Sequence, residues 1–137
     1  MIRVVIADDQ PLQRDGFRMV LESQPDIDVV GEAGDGAQLL SLVRRVETDV
    51  VLMDIQMPRV NGLVASAHVA ADEQVIQRQG RPPRVVLVTA VDLDDHLPAA
   101  AAAGVFAVLY KDALPDALLE AIRAAFTAPN YPRHGEK

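Results

Sequence analysis

The sequence predicts an α/β domain in which helices cover both faces of a single five-stranded, doubly wound parallel sheet. Its 137 residues suit one domain. Half of the residues are hydrophobic, which argues against a disordered chain. Short apolar runs alternate five times with longer amphipathic segments, as in strand–helix units joined by right-handed crossovers.

The strands are expected where short runs are rich in Val, Ile and Leu. Two of these runs, around residues 50–53 and 85–88, are continuously apolar, which is typical of strands covered by helices on both faces. The predicted strands comprise residues 2–7, 27–33, 49–53, 84–88 and 106–110.

The longer segments between the strands are expected to be helices. In the last of them, apolar residues recur every four positions and form one face, from Leu114 through Leu118 and Ile122 to Phe126. The predicted helices comprise residues 11–23, 37–46, 62–78, about 92–103 and 114–126. The final residues, 128–137, contain two prolines and no periodicity, so they are expected to form a tail or the start of a linker after a domain at residues 1–127.

Composition excludes several classes of function. There is no cysteine, which excludes disulfides and thiolate metal sites. The sequence contains no run of about 20 apolar residues, the length needed to span a membrane. The apolar N-terminal segment is too short, and is followed too soon by acidic residues, to be a signal peptide. A cytoplasmic location without membrane contact is therefore expected. The net charge of −7 opposes direct nucleic-acid binding by this chain.

Polar residues follow four of the five predicted strands. Asp8 and Asp9 follow the first strand, Asp54 the third, Thr89 the fourth and Lys111 the fifth. Each residue alone is more often a helix cap or a solvated charge. In an open parallel sheet, however, ligands bind beyond the carboxyl ends of the strands, where these residues would meet.

The combination favours phosphoryl chemistry. If the first and third strands are neighbours, the three carboxylates crowd together and resist joint ionisation. A hard divalent cation such as Mg²⁺ relieves that conflict. With a hydroxyl and an ammonium group nearby, a carboxylate can serve as the nucleophile toward a phosphoryl group.

At these positions the sequence resembles bacterial response-regulator receiver domains, over residues 1 to about 127. The matching motifs are Asp8-Asp9, Met53-Asp54-Ile55-Gln56-Met57-Pro58 with Asn61-Gly62, Thr89-Ala90 and Tyr110-Lys111-Asp112. Two further segments resemble the NarL/LuxR-type transcription regulators: Val29-Val30-Gly31-Glu32-Ala33-Gly34-Asp35-Gly36 and Ala121-Ile122-Arg123. The resemblance implies a flavodoxin-like sheet with strand order 2-1-3-4-5, whose switch point lies between the first and third strands.

The resemblance also implies a role for each residue. Asp54 would be the phosphoacceptor. Mg²⁺, or Mn²⁺, would be bound by Asp9, by Asp54, by the backbone carbonyl of Gln56 and, through water, by Asp8.

The signalling residues are implied in the same way. Lys111 and the backbone of Ala90 would hold phosphoryl oxygens, and Thr89 would move toward the phosphoryl group. The phosphoryl donor would be a sensor histidine kinase, and the chain would be a switch rather than a turnover enzyme.

The sequence departs from the family pattern in three places. The family often has an aromatic residue where this chain has Val108. Phe106 and Tyr110 share the predicted strand face with Val108, so Tyr110 either takes over part of the switch or simply packs.

The other two departures concern helices. Pro98 predicts that the fourth helix begins near Leu97 or kinks, and that this helix is unusual or mobile. The interval from Asp54 to Thr89 is long, which a longer third helix would explain.

The output of such a receiver is open at this point. NarL/LuxR-type similarity predicts transcription control through a C-terminal DNA-binding domain absent from this chain, with a homodimer through the fifth strand and its flanking helices. A single-domain regulator, a phosphorylation-independent pseudo-receiver that binds partner proteins, and a small phosphatase or phosphotransferase are the alternatives. A phosphatase of this kind would need a second catalytic acid in an acid–x–acid motif after the first strand, and Asp8-Asp9-Gln10 does not provide it.

Overall fold

The predicted sheet is present and has the predicted strand order. The computed structural model describes residues 1–57, 61–90 and 93–128. Its strands are β1 (Ile2–Ala7), β2 (Ile27–Ala33), β3 (Val50–Asp54), β4 (Arg84–Thr89) and β5 (Ala107–Tyr110). They pair in parallel in the order β2-β1-β3-β4-β5. Strand β2 lies beside β1, and β4 lies on the opposite side, beside β3. The strand order therefore reverses between β1 and β3, which is the switch point.

The helices cover both faces of this sheet. Those in the described residues are α1 (Pro11–Glu22), α2 (Gly36–Arg45), α3 (Gly62–Ala71), α4 (Glu73–Gln79), α5 (Leu93–Ala102) and α6 (Pro115–Thr127). Helices α1 and α6 pack on one face, and α2 to α5 pack on the other. None of the helices in the described part of the chain has the length and apolar character needed to cross a bilayer.

Alternate residues of the central strands enter two separate hydrophobic clusters. Leu52 of β3 packs toward α1 and α6, whereas Val51 and Met53 pack toward α2 and α3. Every residue of β3 is buried. Both faces are thus covered by helices, which explains why the strand sequences are continuously apolar.

The prediction of one long third helix is wrong, because the chain leaves the helical conformation at Asp72. The backbone there is extended, and the Asp72 carboxylate accepts a hydrogen bond from the Val75 N–H at 3.2 Å, which caps α4. The same carboxylate forms an ion pair with Arg44 of α2 at 2.7 Å. An Asp at this position competes with helix continuation by satisfying the first turn of the next helix.

Helix α4 holds the end of α2 and the loop that leads into β3. Arg78 donates a hydrogen bond to the Val43 carbonyl at 2.6 Å. The Gln79 side chain accepts from the Thr48 N–H at 3.1 Å and donates to the Thr48 carbonyl at 2.9 Å. The long interval between Asp54 and Thr89 therefore contains a separate short helix that braces the amino end of the sheet.

The expectation that the fourth predicted helix begins near Leu97 is also wrong. Helix α5 begins at Leu93, and Pro98 lies inside it. Proline has no N–H, so the Asp94 carbonyl loses its usual partner four residues later. Two acidic residues in the first turn, Asp94 and Asp95, favour the helix through its dipole and support the earlier start. A kink or mobility of α5 stays a prediction.

Phe106 does not share a strand face with Val108 as predicted. Strand β5 begins only at Ala107, so the alternation of faces does not extend back to Phe106. Phe106 packs with the cluster beside α1 and α6, whereas Val108 packs with the opposite cluster. Pro58, the predicted helix start at residue 92 and residues 129–137 lie outside the described residues.

Charged side chains close the amino end of the sheet. Arg3 donates to Asp49 through its backbone N–H at 2.9 Å and through Nε at 3.1 Å. Burial alone would raise the pKa of Asp49, but the hydrogen bonds from Arg3 outweigh it and hold that pKa below its usual value. At the same end, Arg84 donates to the Ala125 and Ala128 carbonyls at 2.7 and 3.0 Å and anchors the end of α6 to β4.

Replacing Asp72 with Ala should lower the free energy of unfolding by about 1–2 kcal/mol, because α4 loses its cap. Urea denaturation monitored by circular dichroism measures this change. The Glu73→Ala variant is the control, since Glu73 is exposed, and it should change stability by less than about 0.5 kcal/mol. Equal stability of Asp72→Ala and the original chain would show that Asp72 does not hold the break between α3 and α4.

Replacing Asp49 with Asn should lower the free energy of unfolding by about 2 kcal/mol at pH 7, because a hydrogen-bonded buried charge is lost. Since the folded-state pKa of Asp49 is lowered, its contribution is full above the unfolded pKa of about 4 and disappears as the pH falls through the folded value. The difference between variant and original chain should therefore shrink in acid. Glu47→Gln, which alters an exposed partner of the same Arg3, should have little effect at any pH. A constant Asp49 effect from pH 7 into acid would contradict this assignment.

Candidate phosphoacceptor site

The carboxyl ends of β1 and β3 bring three aspartates together. One carboxylate oxygen from each of Asp8, Asp9 and Asp54 lies within 4.8 Å of the others. Asp8 and Asp54 are 0% and 1% exposed, whereas Asp9 is exposed. The cluster thus has two buried acids and one that faces solvent.

Asp8 carries a buried oxygen that lacks a donor. Its Oδ1 accepts from the Gln10 N–H at 2.9 Å, but Oδ2 has no hydrogen-bond partner among the described residues. Burial raises the pKa of Asp8, and the negative charges of Asp54 and Asp9 add to this effect. A buried acceptor of this kind is costly unless a proton or a cation occupies the space beside it.

Asp54 is held by donors on both of its oxygens. Oδ1 accepts from the Gln56 N–H at 2.9 Å, and Oδ2 lies 2.7 Å from the Lys111 Nζ. The Lys111 side chain is only 15% exposed, so water screens this pair weakly. These charge-assisted contacts compensate for burying the carboxylate at the end of a fully buried strand.

The turn after Asp54 requires a residue without a side chain at position 62. The Gly62 N–H donates to the Ile55 carbonyl at 2.6 Å, and a Cβ on Gly62 would lie 2.5 Å from the Asp54 carbonyl oxygen. Asn61 precedes it and caps α3 by accepting from the Val64 N–H at 3.0 Å. The sequence predicts Asn61-Gly62 only as part of a family motif. The close approach to Asp54 explains why position 62 is a glycine.

The remaining predicted residues lie on the β4 and β5 side of the cluster. Thr89 ends β4 fully buried, and its carbonyl accepts from the Lys111 N–H at 2.8 Å. Tyr110 pairs with Thr89 in register and is 45% exposed, so its ring is not packed into the core. Ala90 follows Thr89 and is exposed.

Arg14 is a contact residue of this site that the sequence analysis missed. Its Nη1 donates to the backbone carbonyl of Asp8 at 2.6 Å, and its Nε donates to Glu32 of β2 at 3.0 Å. The available signal was its position on the helix that follows Asp8-Asp9, combined with an acid near the end of the neighbouring strand.

The donor set fits a hard divalent cation. Three carboxylate oxygens converge, and the Asp8 Oδ2 lacks any other partner among the described residues. Mg²⁺ prefers one or two carboxylates completed by waters and phosphate oxygens, and Mn²⁺ accepts the same ligands. The arrangement also places the Lys111 ammonium group against the buried carboxylate of Asp54.

Residues 4–123 match the sequence profile of the response regulator receiver domain. The chain belongs to this family. It is 42% identical over 125 residues to the uncharacterized transcriptional regulatory protein YxjL of Bacillus subtilis (strain 168), covering 90% of this chain and 54% of that protein. It is 38% identical over 122 residues to the nitrate/nitrite response regulator protein NarP of Escherichia coli (strain K12), covering 89% of this chain and 54% of NarP.

The solved structures agree with the relatives. The receiver resembles the signal receiver domain of NarL from Mycobacterium tuberculosis with a TM-score of 0.80 and 31% identity, covering 93% of this chain and 98% of that one. The predicted relation to NarL/LuxR-type regulators is thereby confirmed. The chain spans about half the length of the curated relatives it matches.

Replacing Gly62 with Ala should lower the free energy of unfolding by about 1–3 kcal/mol, because the new Cβ collides with backbone at Asp54. Gly16→Ala is the matched control: a Cβ there meets no atom within 4 Å, and the helix gains up to about 1 kcal/mol. Urea denaturation of both variants measures the two changes. Equal effects of the two substitutions would contradict the close approach at Gly62.

Proposed function

We propose that this receiver is a phosphorylation-controlled switch in which Asp54 accepts a phosphoryl group from the phosphohistidine of a sensor histidine kinase. The observation that carries the proposal is the buried Asp54 carboxylate, held 2.7 Å from Lys111 and beside the carboxylates of Asp8 and Asp9. Each chain would accept one phosphoryl group, so the receiver would act as a switch and not as a turnover enzyme.

The transfer exchanges one bond for another. A carboxylate oxygen of Asp54 attacks the phosphorus atom, and the bond from phosphorus to the histidine nitrogen breaks. The electron pair of that bond returns to the imidazole ring. The Lys111 ammonium would then interact with a phosphoryl oxygen, since it already lies against the attacked carboxylate.

The cation, Mg²⁺ or Mn²⁺, would be held by Asp9, by Asp54, by the backbone carbonyl of Gln56 and, through water, by Asp8. When bound, the cation neutralises the carboxylates and offsets the charge that develops on the phosphoryl oxygens. The orphaned Asp8 Oδ2 supports this assignment from within the structure.

The switch would act through β4 and β5. We propose that the Thr89 hydroxyl and the Ala90 backbone contact the phosphoryl group, so that modification favours one of two conformations. Tyr110 lies opposite Thr89 in register and half exposed, which leaves its ring space to respond. Whether Tyr110 replaces the aromatic residue missing at Val108 stays a prediction.

The output would be transcription. One of the curated relatives, YxjL, is a transcriptional regulatory protein about twice as long as the region that it shares with this chain. We propose that the natural regulator works in the cytoplasm, binds DNA through a further domain and dimerises through β5 and its flanking helices. The receiver itself, with a net charge of −7, is unsuited to direct DNA contact.

Incubating the chain with phosphoramidate and Mg²⁺ tests the proposal. Intact-mass spectrometry should show the gain of one phosphoryl group, which Asp54→Asn abolishes. Asp95→Asn is the control, because Asp95 is exposed on α5 and should retain the gain.

Two outcomes would contradict the proposal. No gain by the original chain would indicate a receiver that works by protein binding without phosphorylation. Sustained release of inorganic phosphate over many cycles would indicate a phosphatase that acts on free substrates.

A further inference from the structure

The Arg14 guanidinium joins the β1–α1 turn to β2. One of its nitrogens, Nη1, donates to the Asp8 carbonyl at 2.6 Å, and Nε donates to the Glu32 carboxylate at 3.0 Å. The Arg14 side chain is 21% exposed, and that of Glu32 is 25% exposed. A guanidinium can bridge two acceptors in fixed geometry, which an ammonium group cannot.

This contact completes the fixation of Asp8. The Asp8 N–H donates to the Ala33 carbonyl at 3.0 Å, and Oδ1 accepts from the Gln10 N–H at 2.9 Å. With Arg14 on the carbonyl, Oδ2 is the polar atom of Asp8 that has no hydrogen-bond partner among the described residues. Asp9 follows in the same turn, so the direction of its carboxylate depends on the same backbone.

Glu32 keeps Arg14 in place and also pairs with a second arginine. Its other carboxylate oxygen accepts from Arg18, one turn further along α1. Burial alone would raise the pKa of Glu32, but the hydrogen bonds from Arg18 and Arg14 outweigh it and lower that pKa. Glu32 therefore stays ionised at neutral pH and holds both side chains.

The two arginines differ in one respect that matters for the site. Arg14 reaches the Asp8 carbonyl, whereas Arg18 pairs with Glu22 on the exposed side of α1. Arg18 thus shares the same carboxylate and helix with Arg14, but its hydrogen bonds go to Glu22 and Glu32 and not to the aspartate cluster. It supplies a matched control for loss of an arginine from this network.

We infer that Arg14 is a positioning residue for divalent-cation binding. It fixes the backbone turn that directs the Asp8 and Asp9 carboxylates toward Asp54. The inference rests on the proposed function, because it assumes that these carboxylates hold the cation. Residues that orient metal ligands typically contribute about 10–100-fold to metal affinity or activity.

The test is a titration of the 137-residue chain with Mn²⁺ alone, in which electron paramagnetic resonance measures the free ion. Arg14→Ala should weaken Mn²⁺ binding by about tenfold. Arg14→Lys should fall between that variant and the original chain, because its ammonium can reach the carbonyl without bridging to Glu32. Arg18→Ala should bind Mn²⁺ like the original chain.

Thermal unfolding of each variant separates positioning from stability. Affinities are compared at a temperature where every variant is folded, and Arg14→Lys serves if Arg14→Ala does not fold. Lowered unfolding temperatures with unchanged Mn²⁺ affinity in the Arg14 variants would overturn the inference and leave the proposed function intact. An equal loss of affinity in Arg18→Ala would also overturn it. No Mn²⁺ binding by the original chain would overturn both the inference and the cation site of the proposed function.

Discussion

The ion pair between Asp54 and Lys111 is the interaction on which the rest of the site depends. A carboxylate at the end of a fully buried strand is costly, and the Lys111 ammonium at 2.7 Å offsets that cost. Asp8 increases the cost, because its own pKa is raised by burial and by the neighbouring acids. The site therefore concentrates negative charge where the fold provides one ammonium group and a place for a cation.

The sheet and most of the site were predictable for the same reason: strand position can be read from apolar runs. Because β1 and β3 are parallel neighbours, the residues that end them must meet, which brings Asp8 and Asp54 together. The break at Asp72 was harder to predict. Hydrophobic periodicity reports which face is buried, and α3 and α4 bury Val69 and Val75 in the same cluster on either side of the break. The break between the two helices is instead set by the Asp72 carboxylate, which caps α4.

The contacts of Arg14 and the close approach at Gly62 could not be derived from hydrophobic periodicity, for a different physical reason. Arg14 contacts a backbone carbonyl, which any residue supplies, so the partner leaves no mark in the sequence. Its second partner, Glu32, is placed by the β1–β2 register, which shifts by one residue after Val4. The requirement at Gly62 arises from a backbone approach to Asp54 that periodicity does not report.

The same contacts indicate how a change at Asp54 would be transmitted to β5. Strand β3 is buried throughout, whereas β5 is an edge strand whose residues are half-buried or exposed. Thr89 is bonded to that edge through the Lys111 N–H, and Lys111 is also the partner of Asp54. A shift of Lys111 toward a phosphoryl group would therefore displace β5 more easily than β3. Helix α5 lies next to β5 and contains Pro98, which cannot donate a backbone hydrogen bond, so we expect α5 to resist such a displacement less than a regular helix would.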